Sequence, residues 1–306
     1  MIVALSGGTG GAKMLDGLAQ VAGQSALCAV INTGDDADFY GLRVCPDLDI
    51  CVYTLAGVVD GRGWGFADDS FSCLEGLATY GRPAWFGLGD RDLATHIHRT
   101  LRLAEGATLD VITREFCGHL GVEATVFPMC NEDVRSRITT PAGERSFQEY
   151  LIEHGAAEEI TSIRFDGIER ARPVPGVLEA IAGADTIVIC PSSPVVSIGT
   201  ILSVSGVRDA VAARRERCVA VSPIVGDRPV EGPAHRFLAG AGYPECSAAQ
   251  MAEIYADVAA TLVFDARDGH QADRIAAAGV HPVMSDVVMA DRSARARLAE
   301  LTLAAL

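Results

Sequence analysis

The sequence predicts an α/β fold, a Rossmann-like and mostly parallel sheet in three layers with a largely helical insertion. Three observations carry that expectation. Short apolar runs recur at 2–5, 26–31, 124–128, 186–190, 218–222 and 261–265, the pattern of strands buried on both faces. Helix-forming stretches separate most of them, so strands return by right-handed crossovers that keep them parallel. The first run also passes through a glycine-rich turn straight into a helix at 12–21, the opening of a β-α-β unit.

Composition bounds the rest. Across 306 residues, 49% are hydrophobic and only 6% aromatic, so Ala, Val, Leu and Ile do the packing. The length suits one large α/β domain over 1–306, with the insertion at about 70–165 lying over the ligand-binding rim. A formal charge of −15 argues against nucleic-acid or anionic-membrane surfaces, which need clustered Lys and Arg. A phosphorylated ligand held by backbone N–H groups, a few arginines and a cation remains compatible. The nine cysteines are scattered with no C-x-x-C pair and read as small, reduced core residues. Met1 leads directly into a strand without a basic leader or a long apolar segment, so the expected location is cytoplasmic.

Residues 6–11, Ser-Gly-Gly-Thr-Gly-Gly, join the first strand to the first helix. Glycines allow a sharp turn and close approach, and the first N–H groups of a helix have no internal partner. Gly7, Gly8, Thr9, Gly10 and Gly11 are therefore candidates for a phosphate cradle. The P-loop pattern is absent because Met14 follows Lys13, and the dinucleotide fingerprint lacks its third glycine. The second apolar run ends in Asn32-Thr33-Gly34-Asp35-Asp36, which places these carboxylates on the same rim as the glycines. Asp47 and Asp49 open the next helix. One aspartate alone would serve equally well as a cap or an Asx turn. Four beside a phosphate site repel one another and the ligand, a conflict that Mg²⁺ resolves by bridging carboxylate and phosphate oxygens. Asp36, Asp47 and Asp35 are the metal candidates.

Further along, the loop at 60–65 carries Arg62 and Trp64 and reads as an aromatic wall or a plain surface turn. The stretch 70–120 is mostly helical. Within it, Asp90 is placed to cap a helix, and Arg91 to reach a phosphate or a ligand carbonyl. His96 and His98, two apart, do not share a helix face. A hairpin is expected at 138–146, a helix at 147–154 and a strand at 160–165. Residues 172–176 break the chain before the α/β alternation resumes. Ser192, Ser193 and Ser197 lie in a loop at the end of the strand at 186–190, where they are candidates for phosphate contacts. No Gly-x-Ser-x-Gly elbow is present, which counts against a serine hydrolase. An amphipathic helix at 290–306 closes the chain.

With these segments in view, the chain resembles the 2-phospho-L-lactate transferase family of coenzyme F420 biosynthesis over nearly its whole length. The marks are SGGTGGAK at 6–13, NTGDD at 32–36, YGLRVCPDLD at 40–49 and YTLAG at 53–57. They continue with GDRDLATH at 89–96, FQEYL at 147–151, PVPGVLEAI at 173–181, CPSSPVVSIG at 190–199, AVSPIVGDRPVEGPA at 220–234 and SDVVM at 285–289. The resemblance implies transfer of a phospho-acid group from a guanosine diphospho-acid to the ribitol hydroxyl of the deazaflavin FO, with release of GMP, a requirement for Mg²⁺ and a homodimer. By matching positions it implies FO contacts at Asp49 and Arg91 and catalytic roles for Asp49 and Asp36. It gives the donor to Gly7–Gly11 and to Ser192, Ser193 and Ser197. Ser193 stands where the family usually has Asn, and Thr200 where it has Pro, so lactyl, enolpyruvyl and glyceryl donors all stay open. A related regulatory family that binds UDP-sugars shares the opening glycine loop, but follows its aspartate pair with Gly-Gly-Ser, where this chain has Ala37-Asp38-Phe39. A nicotinamide oxidoreductase is disfavoured by the broken fingerprint.

Overall fold

Seven strands form one parallel central sheet in the computed structural model, which describes residues 1–59 and 63–306. The expectation for Arg62 lies outside the described residues. The strands are β1 (Ile2–Ser6), β2 (Leu27–Ile31), β3 (Thr125–Pro128), β4 (Thr186–Ile189), β5 (Cys218–Val221), β6 (Thr261–Asp265) and β7 (His281–Ser285). Their spatial order is β3-β2-β1-β4-β5-β6-β7, and every neighbouring pair is parallel. This is the α/β architecture that the apolar runs predict.

Residues of β1 alternate between two cores, as the two-residue period of a strand requires. Val3 and Leu5 join Val30, Ile187, Ile189 and Tyr150 on one side of the sheet. Ile2 and Ala4 join Met14, Leu15, Leu18 and Leu48 on the other. Helices α1 (Gly8–Ala22), α2 (Pro46–Leu55) and α5 (Arg292–Ala304) cover the second side, with α1 between the other two. Pro46 sits at the start of α2, and Asp47 and Asp49 fall in its first turn, where the helix dipole favours carboxylates.

The chain from 70 to 165 is a composite. It holds a short helix at Ser72–Thr79, then α3 (Asp90–Ala104) and α4 (Leu109–Leu120). It next supplies β3 to the edge of the central sheet. A three-stranded antiparallel sheet follows, in which Arg135–Thr140 pairs with Gly143–Ser146 and Ser162–Asp166. The helix expected at 147–154 is a single π-type turn, Glu149–Glu153.

One cap differs from expectation. Asp90 does not cap its own helix, because Gly89 occupies the N-cap position of α3. Asp69 reaches across instead and accepts the N–H groups of Arg91 (2.8 Å) and Asp92 (3.2 Å). Asp90 returns the service to the preceding helix, accepting from Ser72 N (3.0 Å) and Cys73 N (2.9 Å). All nine cysteines are free and seven are buried. Among the described residues no helix is long and apolar enough to cross a membrane.

Strand order reverses between β1 and β4. One half of the chain grows outward through β2 and β3, the other through β5, β6 and β7. Ligands of open α/β sheets bind in the crevice beyond the strand ends at such a point.

Candidate functional site

The turn after β1 is built by exclusion of side chains. Gly8 has φ +64, a conformation that suits glycine. A Cβ on Gly7 would lie 2.5 Å from Asp47 Oδ2 and 2.9 Å from Ser197 Cβ. Across the switch point, the Ser192 hydroxyl accepts from Gly7 N (3.1 Å) and donates to Gly7 O (2.7 Å). The glycine turn and the turn after β4 are thus clasped together at the mouth of the crevice.

A cavity of about 440 Å³ opens there. Gly7, Gly8, Thr9, Gly10, Ser192, Ser193 and Ser197 line it, with Asp35 and Asp47 also in the lining. Gly11 lies outside the lining and gives room to Ser6 and Ser192, whose hydroxyls would meet any Cβ placed there. The Ser193 hydroxyl accepts from Val196 N (3.4 Å) within its own turn. Val287, Val288 and Met289 form part of the wall, and so do Pro223, Val230 and Phe237. Phe147 stacks on Phe237 with ring centroids 5.6 Å apart. Lys13 pairs with Glu231, and both residues line this cavity.

Three carboxylates crowd the rim beside the glycines. Asp35, Asp36 and Asp47 are 3%, 7% and 8% exposed. The Asn32 amide donates to both Asp35 Oδ2 (3.1 Å) and Asp47 Oδ2 (2.9 Å), holding the two carboxylates together. Asp36 accepts from the Cys45 thiol at 2.9 Å. Among the described residues Asp35 Oδ1 and Asp36 Oδ1 are buried without a hydrogen-bond partner, an arrangement that native structures rarely keep unless a site needs it. Burial pushes Asp36 up to about 7, against the pull of Cys45, Arg43, Arg99 and Arg135. Burial likewise raises Asp47 to about 6, although Asn32 and Gly8 N–H favour its charge. Asp35 is raised well above the usual carboxylate range, by burial first and by Asp47 next, against the pull of the Ser136 hydroxyl and the Asn32 amide.

Asp49, two residues further along α2, has a different environment. Its carboxylate is gripped by both terminal nitrogens of Arg99 on α3, with Nη1 at 3.1 Å from Oδ2. Arg99 is completely buried. Burial works against its charge, and Asp49, Cys45 and Tyr53 together more than offset that, so the guanidinium stays firmly protonated. His96 Nε2 lies 3.3 Å from Asp92, which accepts from the Tyr53 hydroxyl at 2.7 Å. Asp49 therefore belongs to a buried network joining α2 to α3, whereas Asp35, Asp36 and Asp47 face the cavities. Arg91 donates to Ala67 O (2.9 Å) and lies over the Phe66 ring at 4.8 Å. Neither Asp49 nor Arg91 lines the cavity at the glycine turn.

Arg99 is the residue that sequence reading missed. Its signal was present: Asp92, His96 and Arg99 recur at i, i+4 and i+7, one face of α3. Among the described residues, no three His, Cys, Asp or Glu side chains are spaced to hold a metal ion by themselves. Mg²⁺ is typically held by one or two carboxylates plus phosphate oxygens and water, so the three rim aspartates suit a cation that arrives with its ligand.

A parallel sheet with a clasped glycine turn at its switch point, faced by buried carboxylates of which Asp35 and Asp36 each keep one oxygen open, is the site of an α/β ligand-binding fold. The description 2-phospho-L-lactate transferase CofD matches residues 2–302, and the chain belongs to that family. It is similar to the phosphoenolpyruvate transferases of Streptomyces griseus (42% identical, 99% of this chain and 97% of the relative) and Streptomyces coelicolor (44%, 99% and 98%). That of Kitasatospora aureofaciens is 43% identical over 99% of this chain and 97% of its own. Among solved structures, a member of the UPF0052 family from Bacillus halodurans has the same fold. Its TM-score is 0.68 at 16% identity, with 99% of this chain and 98% of that one covered. The protein is an enzyme, a transferase of the CofD family.

Proposed function

We propose that the enzyme transfers a phosphoenolpyruvyl group from a guanosine diphospho-acid to the terminal ribityl hydroxyl of the deazaflavin FO in F420 biosynthesis, releasing GMP. The observation that carries this reading is the pair Asp35–Asp36. Asp35 lines the cavity at the glycine turn, and Asp36 lines a second, aromatic cleft. A donor in the first and an acceptor in the second would meet at these carboxylates. The relatives named phosphoenolpyruvate transferase, at 42–44% identity over the whole chain, favour the enolpyruvyl donor over the lactyl one.

Phosphoryl transfer asks a protein mainly for positioning and charge neutralisation. The diphosphate lies against the first turn of α1, where backbone N–H groups and the helix dipole favour anions. The hydroxyl oxygen of FO forms a bond to the acid-bearing phosphorus as the bridging P–O bond breaks. GMP keeps that electron pair. The hydroxyl proton passes to Asp36, whose carboxyl stands near 7 with one oxygen free. Asp35 and Asp47 would hold Mg²⁺, and the orphaned Asp35 Oδ1 fits that use. When bound, the cation neutralises the phosphate charge that these carboxylates otherwise repel.

The test supplies purified protein with FO, Mg²⁺ and, in parallel, enolpyruvyl, lactyl and glyceryl diphosphoguanosine. Formation of GMP and a charged deazaflavin fastest with the enolpyruvyl donor is the expected result. A clear preference for another acid would overturn the donor assignment. No product from any donor, together with tight binding of a UDP-sugar, would replace the transfer reading.

A further inference from the structure

The turn that carries Asp35 and Asp36 is held from outside as well as from within. Asn32 is completely buried, and its side-chain oxygen accepts from Gly34 N at 2.9 Å, closing an Asx turn. The carbonyls of 34–36 then each meet a donor from the chain between 135 and 148. Gly34 O accepts from Ser136 N (2.6 Å), Asp35 O from the Gln148 amide (3.0 Å) and Asp36 O from Arg135. Arg135 and Ser136 belong to the antiparallel sheet, and Gln148 opens the π-type turn that follows it. The packing at Gly34 leaves no slack, since a Cβ there would lie 2.8 Å from Thr200 Cγ2 and 3.1 Å from Ser136 Oγ.

The side chain of Asp36 is fixed separately. Cys45 occupies the N-cap position of α2, where Ser, Thr, Asp or Asn ordinarily turns its side chain onto the helix N–H groups. The Cys45 thiol caps nothing there. It is completely buried and donates to Asp36 Oδ2 instead, at 2.9 Å. That bond leaves Oδ1 as the open oxygen, and it ties the turn at 32–36 to the first turn of α2, which carries Asp47. Cys45 and Gln148 are both buried, and neither lines the glycine-turn cavity or the cleft beside Asp36. What they do for the site they do through the turn they hold.

Resting on the transfer reading above, we infer that Cys45 and Gln148 are positioning residues, which together aim the open Asp36 oxygen at the junction of the two cavities. The last torsion of an aspartate side chain is soft and its two oxygens are interchangeable, so an unheld Asp36 would present either oxygen in many directions. The thiol bond engages one oxygen and removes that freedom. The Gln148 bond fixes the peptide from which the Asp35 and Asp36 side chains diverge, one toward each cavity. Chemistry that depends on placement loses rate steeply when a reacting group drifts by about an ångström. The segment from 135 to 148 thereby sets the pitch of the turn that the reaction uses.

Cys45→Ala and Gln148→Met should each lower kcat by about tenfold, the effect of losing one hydrogen bond that aims a reacting group. The KM values for acceptor and donor should stay the same. Cys45→Ser, whose hydroxyl can donate in the same place, should recover most of the loss. The thiol also reports its own bond without any turnover. The infrared S–H band absent from both Cys45 variants should lie below those of the other thiols, because a carboxylate is a strong acceptor, and it should move up in Asp36→Asn. A Cys45 band that ignores Asp36→Asn would overturn the positioning role, and so would wild-type kcat in Cys45→Ala or equal losses in Cys45→Ala and Cys45→Ser. A band that moves as expected, in a protein inactive with every donor, would uphold the hold on Asp36 and remove the transfer reading instead.

Discussion

Asp36 and Asp49 are each 7% exposed, yet they occupy opposite electrostatic worlds. Asp49 is forked by Arg99 and backed by His96, Asp92 and Tyr53. Asp36 has a thiol on one oxygen and nothing on the other, and its neighbours Asp35 and Asp47 share a single Asn32 amide. Burial alone distinguishes nothing here. What separates the two regions is whether each buried charge has been given a partner within the fold. In the network between α2 and α3 the Asp49 carboxylate is met by a buried guanidinium, although Arg99 Nε and His96 Nε2 have no hydrogen-bond partner among the described residues. The rim cluster leaves one oxygen each of Asp35 and Asp36 open, and in the proposed reading a bound cation supplies the counter-charge.

That contrast can be broken most severely at the ion pair. Arg99→Met leaves Asp49 buried without its partner, and Asp49→Ala does the same to Arg99. Each should cost about 3–5 kcal/mol of stability, since removing one half of a buried pair strands the other. Chemical denaturation reads this directly, and a loss below about 1 kcal/mol in both would show that the network is solvated. At the rim the sign reverses. Asp36→Asn removes an ill-placed charge and should stabilise the metal-free protein by on the order of 2 kcal/mol, well under the full value of a shift from 3.8 to about 7. It should also abolish turnover. A variant less stable than the parent would mean that Asp36 is paired after all.

The pH dependence sharpens the same point. Carboxyls raised in the folded state hold their protons more tightly there than in the unfolded chain. Their stabilising contribution is therefore complete below the unfolded value of 3.8, and shrinks as pH rises. It is gone above about 6 for Asp47 and about 7 for Asp36. Thermal midpoints of the metal-free protein should fall across that window, and added Mg²⁺ should raise the midpoint more at pH 8 than at pH 5. An equal Mg²⁺ effect at both values would argue against carboxylate binding. The smallest effect belongs to the exchanged caps, where Asp90→Ala should lower the midpoint by about 2 °C without changing turnover.

Much of this was legible in the residues, for identifiable reasons. Strands buried on both faces write themselves as apolar runs, so the sheet could be read from 2–5, 26–31 and 186–190. The glycine turn and Asp35–Asp36 were found because both end such runs, and parallel topology brings strand ends to one rim. Partnership was harder to see. Nothing local says that Arg99 reaches back to Asp49, or that Asp69 and Asp90 exchange caps, since each contact joins elements far apart in the chain. The edge strand β3 was visible at 124–128, but its place beside β2 follows from the crossover through α3 and α4, not from its own residues. The aromatic cleft escaped for the same reason. Phe39 and Phe86 are distant in sequence and meet only when a short hairpin, too brief to show a period, folds over.

The most direct test of the division between paired and unpaired carboxylates is to measure stability and Mg²⁺-dependent GMP release together for Asp36→Asn and Asp49→Asn. The expected result is an Asp36 variant at least as stable as the parent but without turnover, beside an Asp49 variant that is markedly destabilised. Near-normal turnover by the Asp36 variant, or an Asp49 variant as stable as the parent, would contradict it.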